Sequence, residues 1–446
     1  MTNCTISDPQ VIAFDVLATS PSGRISGWVS QPSYRGTWDI MWTSLVTIFI
    51  CTYTLLCLNV PAPRDTRFVM FRRRIMWMFL AILGPEVVLT YAAGQWSRAR
   101  HSVDAFHASG FTQWTMRQAF FTDMGGFVLH AHGSAPFPLN AKQLHWLVVN
   151  EHVPYPEVQV RQEEIWDKSK QDRLARVIAL CQMAYSILQC VGRAAQGLAI
   201  TTLELNTLGI VVCSLFTAFA WLHKPADIHT PFRITTSATI DEITGGRVWK
   251  VTPLDFVDEN GPGWAMNVQS FAKMPTIPPE RPIQRIPNDR FPMTPYSVQE
   301  YCLCFATLVF GGIHVAGWNF SFPSETEKLL WRGASLLLFG VTAAFWLLET
   351  MASWKRLGRW TWLYLRVTNP RALPEFEKAR EERLSRLEDA EPTTLPLPWE
   401  FWTIMPVAAL YGVSRLYLVT EAFLELRDID GTVFVNVDWS AYFPHV

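Results

Sequence analysis

Seven stretches of the chain are apolar on every helical face: Trp38–Val60, Ile75–Gln95, Leu174–Val191, Leu198–Leu222, Tyr301–Trp318, Leu329–Leu348 and Phe401–Ala422. Each approaches the roughly 20 residues that a helix needs to cross a hydrocarbon layer about 30 Å thick. The middle pair reads as a hairpin. Its polar residues Arg193, Gln196, Thr201, Thr202, Glu204 and Asn206 gather at the turn and the start of the second helix. The pattern predicts an all-α, polytopic membrane bundle with two sizeable extramembranous loops.

The polar stretches divide the chain into a tail (1–36), a first transmembrane hairpin (37–96), a loop (97–172), the central hairpin (173–224), a cap (225–299), a further hairpin (300–349), a charged loop (350–400) and a last span with its tail (401–446). Alternation over Thr235–Thr252 suggests strand in the cap, while Glu163–Arg173 and Pro374–Ala390 read as charged helices. Arg64, Arg67, Arg72, Arg73 and Arg74 follow the first span directly, which by the positive-inside rule puts that loop in the cytosol and the N-terminus outside. Seven simple crossings would then leave Lys355, Arg356, Arg359 and Arg366 outside. An eighth crossing within 107–134, through aromatic Phe111–His130, would restore the parity, so eight spans are preferred.

Composition sharpens this picture. Among 446 residues, 49% are hydrophobic, with 20 Trp and 28 Phe, too apolar for an ordinary soluble domain. A net charge of −1 offers no nucleic-acid face. Seven of the eight cysteines lie inside apolar spans, and Cys4 stands in the tail, so neither a disulfide framework nor zinc spacing is present. No paired histidine spacing, glycine-rich phosphate loop, nucleophile elbow or aspartate-rich diphosphate motif occurs, and no metal or cofactor is expected. Without a cleavable signal peptide, the first span is expected to target the chain to the endoplasmic reticulum or another endomembrane. Asn3-Cys-Thr5 and Asn319-Phe-Ser321 are glycosylation acceptors if lumenal.

The candidate chemistry lies in charges within the apolar runs. Glu86, in LGPEVV, is the deepest acid and is expected to be neutral or paired with a cation. Glu204 and Glu421 are its candidate partners or bases. Arg193 and Arg415 could hold an anionic substrate group, and Asp123, in DMGGF, could join them. Plainer readings stand beside these: Arg193 pairs with Glu204, Arg415 pairs with Glu86, and Asp123 marks a tight turn.

The stretches GTWDIMWTSLVTIFICTYTLLCLNVPAP, LGPE, FFTDMGGFVL, EEIWDKSKQD, LELNTL with KPADI, FPSETEKLLWR, SRLYLVTEAFLELR and DWSAYFPHV resemble a large group of fungal multi-pass membrane proteins, most without assigned activity. At the level of class only, the chain also resembles the integral-membrane terpene cyclases of fungal meroterpenoid pathways, such as those of ascochlorin and macrophorin type. That resemblance implies a lipophilic substrate that is prenylated, with or without an epoxide, a non-redox reaction, and association with membrane lipid and other membrane-bound pathway enzymes. Proton-initiated cyclisation needs an acid, a dry pocket and aromatic walls; Glu86 would be the acid. The rival expectations are a transporter or receptor for a small apolar molecule and a non-catalytic assembly protein.

Overall fold

The computed structural model describes residues 23–30, 35–169, 173–258, 280–288, 298–356, 358–388 and 398–439. Cys4 and the Asn3 acceptor lie outside these residues. The chain opens with β1 (Arg24–Ser26) and α1 (Thr37–Phe49), which runs on as a π-helical turn to Thr54, and then α2 (Arg67–Leu83) and α3 (Pro85–Ala108). Short elements follow: α4 (Met116–Asp123), β2 (Phe127–His132), β3 (Phe137–Leu139), α5 (Ala141–Val149), α6 (Tyr155–Val158) and α7 (Gln162–Lys168). The central hairpin is α8 (Arg173–Ala195) and α9 (Thr202–Ala220), followed by β4 (Phe232–Thr239) and α10 (Ile240–Thr244). The rest comprises α11 (Val298–Ala316), α12 (Glu325–Arg356), α13 (Arg359–Thr368), α14 (Leu373–Glu388), α15 (Pro398–Leu424) and β5 (Asp428–Asp430).

Among the described residues, five helical stretches are long and apolar enough to cross a membrane: Leu174–Ala195, Thr202–Ala220, Tyr301–Asn319, Glu325–Leu348 and Trp402–Arg427. They match five of the seven predicted spans. Helix α9 is the axis of the bundle: 61% of its most apolar window is buried, against 17% for α8, whose Leu174, Val177, Ile178 and Leu188 face outward. Thr201 starts α9 through a capping box with Glu204, and Gly209 lets Phe310 and His314 of α11 approach its backbone.

The predicted second span, Ile75–Gln95, is not one helix. Leu80 and Leu83 end α2, Pro85 supplies the first residue of α3, and the two axes diverge by 112°. Midway along their lengths, the two helices reach the same segment. Arg74 of α2 pairs with Asp227 at 2.7 Å, and Gln95 of α3 accepts from Lys224 at 2.7 Å, and both partners follow α9. The pair is therefore re-entrant, with Gly84–Glu86 at its tip inside the bundle.

The eighth crossing weighed for 107–134 is absent. Those residues form α4 and β2, joined by a tight turn in which Gly125 has φ +83° and a Cβ on Gly126 would sit 2.3 Å from the Phe121 ring. No helix can continue through such a turn. Strand β2 pairs antiparallel with β3 and parallel with β4, aligning Phe127 with both Leu139 and Phe232. A parallel pair needs a crossover, and here the crossover is the α8–α9 hairpin itself. The two loops flanking that hairpin are thus one mixed α/β cap around Phe106, Phe121, Phe127, Leu144, Ile234 and Leu254, rather than separate units in an all-α fold.

The opposite end of the bundle is closed by a clasp. β1 pairs with β5, Arg24 reaches Asp428 at 3.1 Å and the Phe322 carbonyl at 2.6 Å, and Gln196 in the hairpin turn exchanges bonds with the Asp438 backbone.

Candidate functional site

Breaking a helix inside the bundle strands its last carbonyls, which no lipid can satisfy. Two side chains of α15 take them up. Arg415 Nη2 donates to the Ile82 carbonyl at 3.1 Å, and the Tyr411 hydroxyl donates to that of Leu83 at 3.1 Å. Arg415 is fully buried, and its Nη1 donates to Asn206 Oδ1 at 2.8 Å and to His314 Nε2 at 2.7 Å. His314 Nδ1 lies 2.9 Å from the Phe310 carbonyl; donating there, the ring keeps Nε2 as an acceptor and stays neutral beside the guanidinium. The Phe310 ring centroid lies 5.0 Å from the guanidinium carbon. α9, α11 and α15 thus converge on the re-entrant tip.

Glu86 occupies the first turn of α3 and is 7% exposed. Neither carboxyl oxygen has a hydrogen-bond partner among the described residues. The Tyr411 hydroxyl lies alongside, but its hydrogen goes to Leu83, and Arg415 acts on the carboxyl without forming an ion pair. The expected Arg415–Glu86 pair is replaced by Arg415 capping the broken helix, because the stranded carbonyls and the Asn206–His314 pair compete for its donors.

The other predicted acids stand elsewhere. Glu204 pairs with Arg35, a residue that sequence reasoning passed over, and accepts from the Thr201 backbone and hydroxyl at 3.0 Å each. It lies nine residues before Cys213, the α9 neighbour of Glu86, or about 14 Å along the helix. Arg193 does not bond Glu204 as expected. It donates to the carbonyls of Ala199, Thr432, Val433 and Val435 at 2.9–3.0 Å, tying the hairpin turn to the C-terminal segment. Glu421 accepts from the Tyr417 hydroxyl at 3.3 Å, and Glu425 caps Thr202. Glu204, Glu421 and Arg193 therefore belong to the clasp layer and do not meet Glu86.

Asp123 sits in the cap, where Oδ1 accepts from the Ala141 backbone at 2.9 Å and Oδ2 lies 3.8 Å from Arg98 Nε. It borders a cleft with space for about 20 Å³, roughly one water, beside Asn59, Gln95, Arg98 and Lys224. Lys224 is 2% exposed and donates to Gln95 at 2.7 Å and Asn59 at 3.3 Å. Burial lowers its amine from 10.5 to about 8, against the opposing pull of Cys57 and Asp123. A second void, about 10 Å³, lies between Ala81, Pro85, Val88 and Ser214 behind the tip. Among the described residues no trio of His, Cys, Asp or Glu is placed to hold a metal ion.

Residues 10–260 and 297–446 match a family of unknown function, DUF8562. The chain belongs to that family. No curated protein matches. No solved structure matches either. The match covers the re-entrant tip, the clasp, every member of the polar centre and the cap up to residue 260, so Glu86 and the residues around it lie within the matched part of the chain. Sequence reasoning missed Tyr411, His314 and Lys224. A lone histidine in GGIHVAGW and a tyrosine one turn before Arg415 were the available signals, since ionisable groups within apolar spans rarely lack a role.

Proposed function

We propose that this protein is an integral membrane enzyme in which Glu86 donates a proton to a lipophilic substrate, in a non-redox isomerisation or cyclisation of the terpene-cyclase type. The observation that carries the reading is the Glu86 carboxyl, buried at the break of a re-entrant pair with both oxygens unbonded. An acid so placed holds its proton until a base arrives. In such a step the proton passes to an alkene carbon or an epoxide oxygen, and the carboxylate left behind faces the N-terminal amides of α3, with Tyr411 and Arg415 at hand. Asn206 and His314 hold the guanidinium in place, and Trp77 and Tyr91, in edge contact at 5.4 Å, add aromatic surface on α2 and α3.

The void beside Pro85 is smaller than a prenyl group, so entry of substrate requires the tip to swing away from α15. The membrane orientation follows the charges. Arg64, Arg67, Arg72, Arg73, Arg74, Lys355, Arg356, Arg359 and Arg366 all fall at the cap end, which we assign to the cytosol, leaving β1, Asn319 and the clasp on the other side of an endomembrane.

The test uses microsomes carrying the native chain or Glu86→Gln, incubated with an epoxyfarnesylated aromatic ester and assayed for cyclic isomers of unchanged mass. Native membranes are expected to form them and the Gln variant to lose at least a hundredfold in rate. Undiminished product from Glu86→Gln removes the assignment.

A second reading, proton-coupled carriage of a small apolar solute, is favoured by the broken helix, since discontinuous helices in mid-membrane form the sites of many transporters. It predicts proton movement with the solute across sealed vesicles and no isomer.

A further inference from the structure

The segment after α12 carries an apolar stripe that, beyond a contact at Trp360, is left largely exposed by the described residues. Trp360, Leu363, Tyr364 and Val367 follow the i, i+3, i+4, i+7 spacing of one helix face, and they are 47%, 41%, 65% and 76% exposed. The opposite face is engaged. Trp362 donates through its ring nitrogen to Glu377 of α14 at 2.8 Å, and Arg366 stacks on the Trp362 ring at 5.0 Å. At the start of α13 the Trp360 ring meets Trp354 of α12, centroids 5.0 Å apart, so α13 is anchored directly to the end of a membrane-crossing helix.

Charge identifies what the stripe meets. From Met351 to Pro374 the chain has five basic residues, Lys355, Arg356, Arg359, Arg366 and Arg371, and no Asp or Glu. Arg359 and Arg366 lie together along one edge of the stripe by helical position, 100° or so from its centre, where a long cationic side chain reaches the headgroups while its stem lies along the apolar boundary. A short helix with a broad apolar face, a basic edge and a candidate membrane-crossing helix beside it is built for the interface of a bilayer rather than its interior.

We infer that α13 is an interfacial helix that seats acidic phospholipid headgroups on its Arg359–Arg366 edge while its Trp360–Val367 stripe enters the adjoining leaflet. The occupant is the lipid of the same membrane. Neither Glu86 nor the polar centre takes part, so the inference stands or falls apart from the enzymatic reading.

Hydrogen exchange of the full chain in nanodiscs tests it. In discs of phosphatidylcholine with about a third phosphatidylserine, the α13 amides are expected to exchange roughly tenfold more slowly than in phosphatidylcholine alone. Arg359→Gln with Arg366→Gln should abolish that difference while keeping protection in both discs. Serine at Trp360, Leu363, Tyr364 and Val367 together should lose protection in both, with exchange in α9 unchanged as the folding control. Equal exchange of native α13 in the two discs overturns the inference. So does equal slowing in phosphatidylcholine discs on adding inorganic phosphate or glycerophosphoserine, which would make free phosphate the ligand.

Discussion

Arg415 shows how one side chain can serve two ends. Its guanidinium satisfies a carbonyl left by the helix break and simultaneously joins α9 to α11 through Asn206 and His314. Removing the cation while keeping the bulk, as in Arg415→Met, takes the guanidinium donors away from the Ile82 carbonyl, Asn206 Oδ1 and His314 Nε2 in a dry interior. A loss of about 3–5 kcal/mol is expected, read as a lower thermal midpoint in detergent. Lys224 gives a prediction with a definite sign. Its folded value of about 8 lies below the unfolded 10.5, so the unfolded chain binds more protons between those limits. The amine's contribution to stability therefore rises as pH goes from about 8 to 10.5, by on the order of 3 kcal/mol, and is at its worst below pH 8. Lys224→Met should flatten that rise in thermal unfolding scans taken at successive pH values.

At the scale of elements, the contact between α9 and α11 depends on Gly209. A Cβ there would stand 3.1 Å from the Phe310 ring and 3.2 Å from His314 Cε1. Gly209→Ala should push α11 away and cost about 1–3 kcal/mol, with a smaller effect from Gly312→Ala, where nothing lies within 4 Å. The re-entrant pair makes a topological prediction. Single cysteines at Arg64 and Ser109, in a background without the native ones, should react with an impermeant maleimide from the same side of sealed vesicles, and one at Ser324 only from the other. Labelling of Arg64 and Ser109 positions from opposite sides would mean that α2–α3 crosses after all.

For the whole molecule, the re-entrant pair settles the charge parity that made an eighth crossing attractive. A pair that enters and leaves at the cap end contributes no crossing, so the basic stretches after α1 and α12 share a side without further spans. The sheet linking β2 to β4 across the central hairpin likewise keeps the two loops that flank the hairpin together. The clasp then joins β1, the segment from β5 onward and the hairpin turn at the far side, which explains why so many predicted site residues proved structural: Glu204, Arg193 and Glu421 lie where three segments meet.

The sequence by itself determined five of the spans, the central hairpin and the depth of Glu86, because apolar length and the cost of a buried charge are local properties that a run of residues displays. It also marked Pro85 as a break, though not which way the chain goes afterwards. Only the tertiary structure decided that the second apolar run turns back, that residues 107–134 fold into the cap, that Arg35 rather than Arg193 takes Glu204, and that Tyr411 and Arg415 finish the broken helix. Each of those outcomes depends on a donor or a strand supplied from more than a hundred residues away or from across a turn, and hydropathy carries no record of such partners.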